Sequence, residues 1–197
     1  MQNHLKQDLE MPRVAWKAVS VSEELGRVFT TFKQSAFRLE TLQSYAEPSE
    51  SSPFNQYERG VLPDPSFMAD WCQLVSQHTA SGRAIRRVHI VDLPLSNYMK
   101  FEIEHCYKHS EAAGEEIRLL ERSKLSGEIL KVTREDFWLF DGSTVMVNDY
   151  DANNTFYQAR MSSDPDAVAY YSNIDKKIWD LGTPFKEFYK AQTGLEL

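Results

Sequence analysis

Residues 84–121 constrain the fold more than any other part of the chain, because they have the pattern strand, helix, strand. AIRRVHIVDL, which starts at residue 84, is rich in β-branched residues and predicts a buried strand. The next segment, LSNYMKFEIEHCYKHSEAAG, predicts a helix with Ser96 at its N-cap and Gly114 at its end. EEIRLLER predicts a second strand, so the three elements together are typical of a parallel βαβ crossover.

A run of antiparallel strands is predicted after the crossover. DFWLFD and TVMVND, within residues 136–149, are short apolar runs separated by Gly142, and NTFYQARM continues the pattern. We interpret them as three consecutive strands at the edge of the parallel pair. AFRLETL, from residue 36, alternates apolar and charged residues and predicts a further strand. The fold class is therefore α/β, or α+β, with a mixed sheet flanked by helices.

More helices are predicted on either side of these strands. SVSEELGRVFTTFKQS has apolar residues at helical spacing, with Ser22 as its N-cap residue. Asp64 and Asp164 each precede a proline, which is typical of the first residues of a helix. The Pro/Ser-rich stretch at 47–53 predicts a loop.

The size and charge of the chain limit its architecture and partners. Its 197 residues fit an N-terminal arm and helix (1–30) and a single α/β domain (31–197). The net charge of −7 argues against direct nucleic-acid binding, because an acidic surface repels polyanions. No segment approaches the roughly 20 apolar residues that span a bilayer. Cys72 and Cys106 lack C-x-x-C spacing, so we expect a cytoplasmic protein with reduced thiols and no membrane partner.

Several common active-site motifs are missing from the sequence. It contains no G-x-S-x-G, Walker loop, G-x-G-x-x-G or H-E-x-x-H, which argues against serine hydrolases, nucleotide triphosphatases and Rossmann dehydrogenases. The best metal candidate is Glu102 with His105 and His109, because histidines four residues apart on a helix can meet one ion. This spacing is also common on the solvated side of a helix. We therefore predict no metal site and no cofactor.

Acidic residues at the ends of predicted strands are the first candidates for a ligand site. Asp92 follows the first crossover strand, and ligands of open α/β sheets lie outside the carboxyl ends of the parallel strands. Asp136 and Asp141 stand at the two ends of DFWLFD. Two carboxylates held close together can serve as acid and base, although aspartate is also common in turns and helix caps.

An arginine on the first crossover strand completes the predicted site. Arg86 and Arg87 point to opposite faces, and the inward one needs a carboxylate partner, for which Glu102 and Asp136 are the candidates. The sequence does not decide which arginine faces inward; we assign Arg87 to charge pairing. Such a pair is either structural or grips an anionic ligand. The predicted ligand-binding residues are Arg87, Asp92, Tyr98, Glu102, Asp136, Trp138 and Asp141.

Three segments together resemble a known family. RRVHIVDLPLSNYMKFE, AAGEEIRLL and DFWLFDGSTVMVNDYD, in this order, resemble a bacterial family described only as a domain of unknown function. The resemblance spans residues 36–190 and leaves out residues 1–30. Members of that family are often encoded beside helix-turn-helix regulators, which implies a regulatory setting.

The crossover followed by DFWLFDG is also similar to one half of the phospholipase D-like fold. The active enzymes of that fold carry H-x-K followed by an aspartate, and the histidine is the phosphoryl nucleophile. Residues 36–190 contain no H-x-K, because HCYK is one residue too long and HIVD lacks the lysine. The resemblance therefore implies the scaffold and not phosphodiester cleavage.

These observations predict a noncatalytic, phospholipase D-like scaffold with a regulatory or ligand-binding role. Its expected partner is a small molecule or a regulatory protein. Two alternatives stay open: a small biosynthetic enzyme with Glu102, Asp136 or Asp141 as general base, and a protein-interaction module or homodimer. The predicted site requires that Asp92 and DFWLFD lie close together on one mixed sheet.

Overall fold

The computed structural model describes Met11 and residues 13–195. Within this part of the chain, eight strands form one sheet in the order β1, β7, β6, β5, β2, β3, β4, β8. Their bounds are β1 (Lys17–Val19), β2 (Ser35–Glu40), β3 (Ala84–Val91), β4 (Glu116–Glu121), β5 (Asp136–Phe140), β6 (Thr144–Tyr150), β7 (Phe156–Ser162) and β8 (Thr183–Pro184). Strand β2 pairs in parallel with β3, which pairs in parallel with β4, and the remaining pairs are antiparallel.

Seven helices cover the sheet in the described part of the chain. They are α1 (Val21–Thr31), α2 (Pro48–Glu58), α3 (Ala69–Ala80), α4 (Asn97–Ala112), α5 (Gly127–Val132), α6 (Pro165–Leu181) and α7 (Phe185–Thr193). The middle of α4, Glu102–Tyr107, is π-helical, whereas its first and last segments, Asn97–Phe101 and Lys108–Ala112, are α-helical. Short π-helical segments inside α-helices are frequent at functional sites.

The predicted mixed sheet is confirmed. Strand β3, helix α4 and strand β4 form the crossover, and β5, β6 and β7 form the predicted antiparallel run. The strand predicted from AFRLETL lies between the two groups, because β2 pairs with β3 on one side and with β5 on the other. This position makes β2 a central strand whose two faces are both covered.

The two faces of the sheet are covered differently. On one face, an apolar core joins the sheet to α6, and α5 packs against its margin. On the opposite face, α1 and α3 pack over one apolar cluster, while α4 and α7 pack over a second. Of the charged residues that point to this second face, Glu40 of β2 and Arg87 of β3 are buried, and Arg38 of β2 is partly buried.

Three local predictions differ from the structure. The stretch at 47–53, predicted as a loop, begins helix α2, because Pro48 suits a first helical position and the later aromatics Phe54 and Tyr57 pack on α4. Helix α1 is capped at Ser20, whose carbonyl accepts the first helical hydrogen bond from Glu24, rather than at Ser22. The segment after Asp64 starts as a 3₁₀ turn, Pro65–Met68, before α3.

The arm predicted at 1–30 is partly described. Residues 1–10 and 12 lie outside the described residues. From Lys17 onward the chain joins the main sheet, since β1 pairs with β7. Val28 and Phe29 of α1 are buried in the core.

Candidate functional site

A cavity of about 670 Å³ opens between the second face of the sheet and helices α2, α3 and α4. Its floor is made by side chains that alternate along the strands. Arg38 of β2 lies opposite Arg87 of β3 and Trp138 of β5. Charged and aromatic side chains therefore meet at the centre of the sheet, and the residues that line the cavity include Arg38, Glu40, Tyr45, Glu50, Trp71, Arg87, Tyr98, Glu102, Cys106, Tyr107, Trp138, Asn148 and Tyr150.

The two arginines predicted on β3 separate to opposite faces, as strand alternation requires. Arg87 faces the cavity and is 8% exposed, whereas Arg86 faces α6 and bonds to Asp175 at 2.9 Å. The predicted partners of the inward arginine were wrong. Arg87 donates to Glu40 Oε2 and to Glu115 Oε1, each at 2.7 Å, because these carboxylates lie on the adjacent strand β2 and immediately before β4.

Arg38 and Arg87 form a charge cluster with the two buried carboxylates of Glu40 and Glu115. Burial alone would raise the pKa of Glu40, but Arg38 and Arg87 outweigh burial and hold that pKa at about 2. Arg38 reaches Oε1 of Glu40 at 2.8 Å, so each carboxylate oxygen has its own arginine. The second oxygen of Glu115 accepts hydrogen bonds from Ser110 Oγ at 2.6 Å and Trp71 Nε1 at 3.0 Å. Hydrogen bonds and ion pairs from several helices and strands therefore hold the two carboxylates and the two arginines in place.

His89 is fully buried beside this cluster, and its hydrogen bonds fix its tautomer. Burial lowers the pKa of its imidazole, so the ring is neutral. Its Nε2 lies 2.7 Å from the Leu42 carbonyl oxygen and therefore carries the proton. Its Nδ1 therefore accepts a hydrogen bond from the Tyr107 hydroxyl, with 2.5 Å between the nitrogen and the oxygen. His89 positions the cavity residue Tyr107 and does not reach the cavity itself.

Asp136 lies behind the cavity wall, at the start of β5. Its carboxylate accepts hydrogen bonds from the Thr41 amide at 2.9 Å, the Thr41 hydroxyl at 2.6 Å and the Tyr45 hydroxyl at 2.5 Å. Burial raises the pKa of Asp136 to about 6, although these hydrogen bonds and Arg38 oppose the increase. The aspartate therefore positions Tyr45, which lines the cavity.

The π-helical segment of α4 brings a second acidic group to the opposite wall. Glu102 and Cys106 face the cavity from this segment, and Glu50 approaches them from α2. Burial raises the pKa of Glu102 well above its ordinary value, and the charges of Glu50 and Glu40 raise it further. The Tyr98 hydroxyl donates to Glu50, which ties α2 to α4.

Several buried polar atoms of the cavity have no hydrogen-bond partner. Among the residues that the structure describes, the unpartnered buried side-chain atoms are Arg38 Nε, Glu102 Oε1, Trp138 Nε1, Asn148 Oδ1 and Asp175 Oδ1. All except Asp175 Oδ1 belong to residues that line the cavity. Since buried polar groups in proteins are rarely left without a partner, this concentration distinguishes the cavity from the rest of the described interior.

The structure brings together four of the seven predicted site residues and separates the other three. Arg87, Tyr98, Glu102 and Trp138 line the cavity, and Asp136 contacts it through Tyr45. Asp92 follows the last residue of β3 and lies outside the cavity, where its exposed carboxylate pairs with Arg122 at 2.9 Å.

Asp141 lies at the other end of β5 from Asp136. Its carboxylate accepts hydrogen bonds from the backbone N–H groups of Lys33, Gln34 and Ser35. These bonds lower the pKa of Asp141 and hold the chain between α1 and β2, so this aspartate has a structural position.

The predicted metal candidate of Glu102, His105 and His109 does not converge in the structure. His105 packs between the rings of Tyr57 and Phe101, and His109 is exposed. In the described part of the chain, the residues whose ligand atoms do converge with Glu102 are Glu50 and Cys106.

Arg38, Glu40 and Glu115 are important residues that the sequence interpretation missed. Arg38 and Glu40 alternate with Phe37 and Leu39 along β2, which looks like a strand with one solvated face. The signal that identifies them is the central position of β2: in a sheet covered on both faces, the alternate charged residues are buried too.

Comparison with solved structures places this architecture in a known class. The match with the structure of a phospholipase D family member, Nuc from Salmonella typhimurium, covers 86% of this chain and 97% of that one, with a TM-score of 0.54 and 10% sequence identity. The phosphatidylserine synthase of Haemophilus influenzae Rd KW20 covers 85% of this chain and 38% of its own, with a TM-score of 0.47 and 9% identity. The likeness to the Nuc structure shows that the fold is phospholipase D-like.

The chain belongs to the family described as "Domain of unknown function (DUF6879)", whose family model matches residues 23–190. No curated protein matches its sequence. The matched residues contain no H-x-K; the one H-x-K in the sequence is residues 4–6, which lie before the matched part and outside the described residues. In the described part of the chain, helices fall short of the length and apolarity required to cross a bilayer.

Proposed function

We propose that this protein binds a small polar molecule in the cavity and acts through that binding rather than through catalysis. The observation that carries the proposal is the set of unpartnered atoms in the cavity: Arg38 Nε, Trp138 Nε1, Glu102 Oε1 and Asn148 Oδ1. A buried polar group without a hydrogen bond costs roughly 1–3 kcal/mol. A ligand that supplies the missing partners removes this cost.

The unpartnered atoms specify which groups the ligand carries. Arg38 and Trp138 offer N–H donors, and the Arg38 guanidinium lies 5.2 Å from the centre of the Trp138 ring. This end of the cavity suits a carbonyl or carboxylate. Glu102 and Asn148 offer acceptors, which suit an amine, amide or hydroxyl group. The aromatic rings of Tyr45, Tyr98, Trp138 and Tyr150 suit the apolar body of the ligand.

The regulatory part of the proposal rests on the setting implied by the family resemblance. A ligand-binding protein encoded beside helix-turn-helix regulators would transmit occupancy to a regulatory protein. The acidic net charge of −7 favours such a protein partner over direct contact with DNA.

The rival proposal, a small enzyme with a carboxylate general base, has one remaining candidate of its three. Both carboxylate oxygens of Asp136 already accept hydrogen bonds, from Thr41 and from Tyr45. Asp141 accepts hydrogen bonds from backbone amides away from the cavity. Glu102 faces the cavity with a raised pKa, which is the property of a general base or acid.

Thermal denaturation with a panel of small anions, amines and amino acids tests the binding proposal. We expect at least one compound with both an anionic and a cationic group to raise the melting temperature, because binding to the native state stabilises it. Trp138→Phe removes one donor and keeps the aromatic ring, so calorimetry should show binding weakened about 5- to 10-fold.

Trp179→Phe is the matched control for Trp138→Phe. Trp179 lies on α6, on the other face of the sheet, and packs against Arg86 and Arg118. Binding should be unchanged in this variant. The proposal is contradicted if no compound of the panel stabilises the protein, or if Trp138→Phe and Trp179→Phe bind the compound equally well.

A further inference from the structure

We propose that Glu50, Glu102 and Cys106 form a binding site for a divalent cation of the zinc class on the helical wall of the cavity. One ligand atom from each residue, a carboxylate oxygen from each glutamate and the Cys106 sulfur, lies within 4.8 Å of the other two. Glu102 and Cys106 are four residues apart on the π-helical segment of α4, and Glu50 approaches from α2. This inference goes beyond the binding of an organic ligand and does not depend on it.

An unsatisfied atom inside the cluster points to a missing partner. Glu102 is 4% exposed, and its Oε1 has no hydrogen-bond partner although it faces the cavity. Arg87, the cation that acts electrostatically on Glu102, directs its hydrogen bonds to Glu40 and Glu115 instead. A buried carboxyl group is stabilised by a cation, by hydrogen-bond donors or by protonation, and a metal ion bound beside Cys106 and Glu50 would supply the first of these.

The types of ligand atom select the class of metal. Zn²⁺ accepts both thiolate sulfur and carboxylate oxygen in tetrahedral sites. Mg²⁺ and Ca²⁺ require oxygen ligands in larger number, so a cysteine ligand disfavours them. Three protein ligands leave the fourth position of a tetrahedral ion open. All three residues line the cavity. The site therefore suits an ion that also contacts a molecule bound in the cavity.

Cobalt titration of the full chain tests this site, because Co²⁺ substitutes for Zn²⁺ and reports a thiolate ligand by its absorption. After treatment with a chelator, the protein should bind about one equivalent of Co²⁺ with a near-ultraviolet thiolate-to-cobalt charge-transfer band. Zn²⁺ should abolish the band by displacement. Cys106→Ser should abolish it as well, and Glu50→Gln should weaken Co²⁺ binding at least 10-fold.

Cys72→Ser is the matched control, because Cys72 is the other free cysteine and lies on α3. The band should persist in this variant. If Cys106→Ser does not fold, Glu50→Gln still tests the site, since Glu50 is half-buried on a helix with no buried residue. The proposal is overturned if the unmodified chain shows no charge-transfer band, if the band survives Cys106→Ser, or if Glu50→Gln binds Co²⁺ normally.

The two proposals both involve Glu102, but separate measurements test them. The titration uses the metal ion alone, and Trp138→Phe should bind Co²⁺ as the unmodified chain does because Trp138 is on the sheet and not in the cluster. The binding of small molecules is measured with a chelator present. A protein that binds Co²⁺ but no compound retains this inference without the proposed function, and the opposite result retains the proposed function alone.

Discussion

At the scale of the residue, Asp136 shows how burial and hydrogen bonding compete for one carboxyl group. Three donor groups, all from Thr41 and Tyr45, stabilise its ionised form, yet burial keeps its pKa at about 6, above the ordinary 3.8. Arg38 lowers this pKa and Glu40 raises it. The native state therefore keeps a proton on Asp136 at pH values where the unfolded chain has released it.

Asp136→Asn should change the pH dependence of stability. Because the folded pKa is raised, the contribution of this group to stability is full below about pH 4 and is lost as the pH rises to about 6. The asparagine cannot titrate, so the free energy of unfolding should fall less steeply between pH 4 and pH 6 than in the unmodified chain. Urea unfolding across this range measures the two slopes, and equal slopes would contradict the prediction.

At the scale of the element, the turn between α4 and β4 depends on a single glycine. Gly114 has a φ of +112°, and a Cβ atom there would lie 2.8 Å from the Thr79 hydroxyl at the end of α3. The turn places Glu115 so that its carboxylate meets Arg87. A conformation that favours glycine and a close helix contact therefore coincide next to the charge cluster.

Gly114→Ala should destabilise the protein by about 2 kcal/mol, since it combines backbone strain with overpacking against Thr79. Gly127→Ala is the matched control. Residue 127 begins α5, and a Cβ atom there would meet none of the described atoms within 4 Å. This variant should gain up to about 1 kcal/mol by restricting the unfolded chain. Denaturant midpoints measure both changes, and a Gly114→Ala protein as stable as Gly127→Ala would refute the account.

At the scale of the whole molecule, the two faces of the sheet differ in what they bury. The face under α6 is an apolar core, whereas the opposite face encloses charges in a cavity between two apolar clusters. Arg86 and Arg87, which are neighbours on β3, lie on these two different faces. Arg87 pairs with two buried carboxylates, and Arg86 pairs with the single buried carboxylate of Asp175 beside the rings of Phe37 and Trp179.

Arg87→Met should cost roughly 3–5 kcal/mol of stability, because it leaves two buried carboxylates without their common cation. Arg86→Met should cost less than Arg87→Met, because it leaves one buried carboxylate rather than two without a cation and because the Arg86 side chain is 25% exposed. Chemical denaturation of both variants measures the difference. Similar losses in the two variants would show that the faces are not energetically distinct.

The sequence predicts the sheet better than it predicts the site, for physical reasons. The crossover and the three antiparallel strands follow from local periodicity and turn residues, which act over a few positions. The partner of Arg87 does not, because Glu40 and Glu115 are 47 and 28 residues away in the chain and meet it only through strand register. Helix α2 was missed because its local composition is that of a loop, while its attachment comes from aromatic contacts with α4.

Helix α2 has a consequence for how the cavity communicates with the exterior. None of its eleven residues, all of them described, is buried, and it attaches to α4 through Phe54, Tyr57 and Glu50. Glu50 also reaches the cavity wall. If a partner that binds α2 from outside changes the affinity of the cavity for a molecule that contacts Glu50, that molecule must change the affinity for the partner by the same factor. The outer surface of α2 is thus the place where a partner outside the cavity could act on a molecule bound inside it.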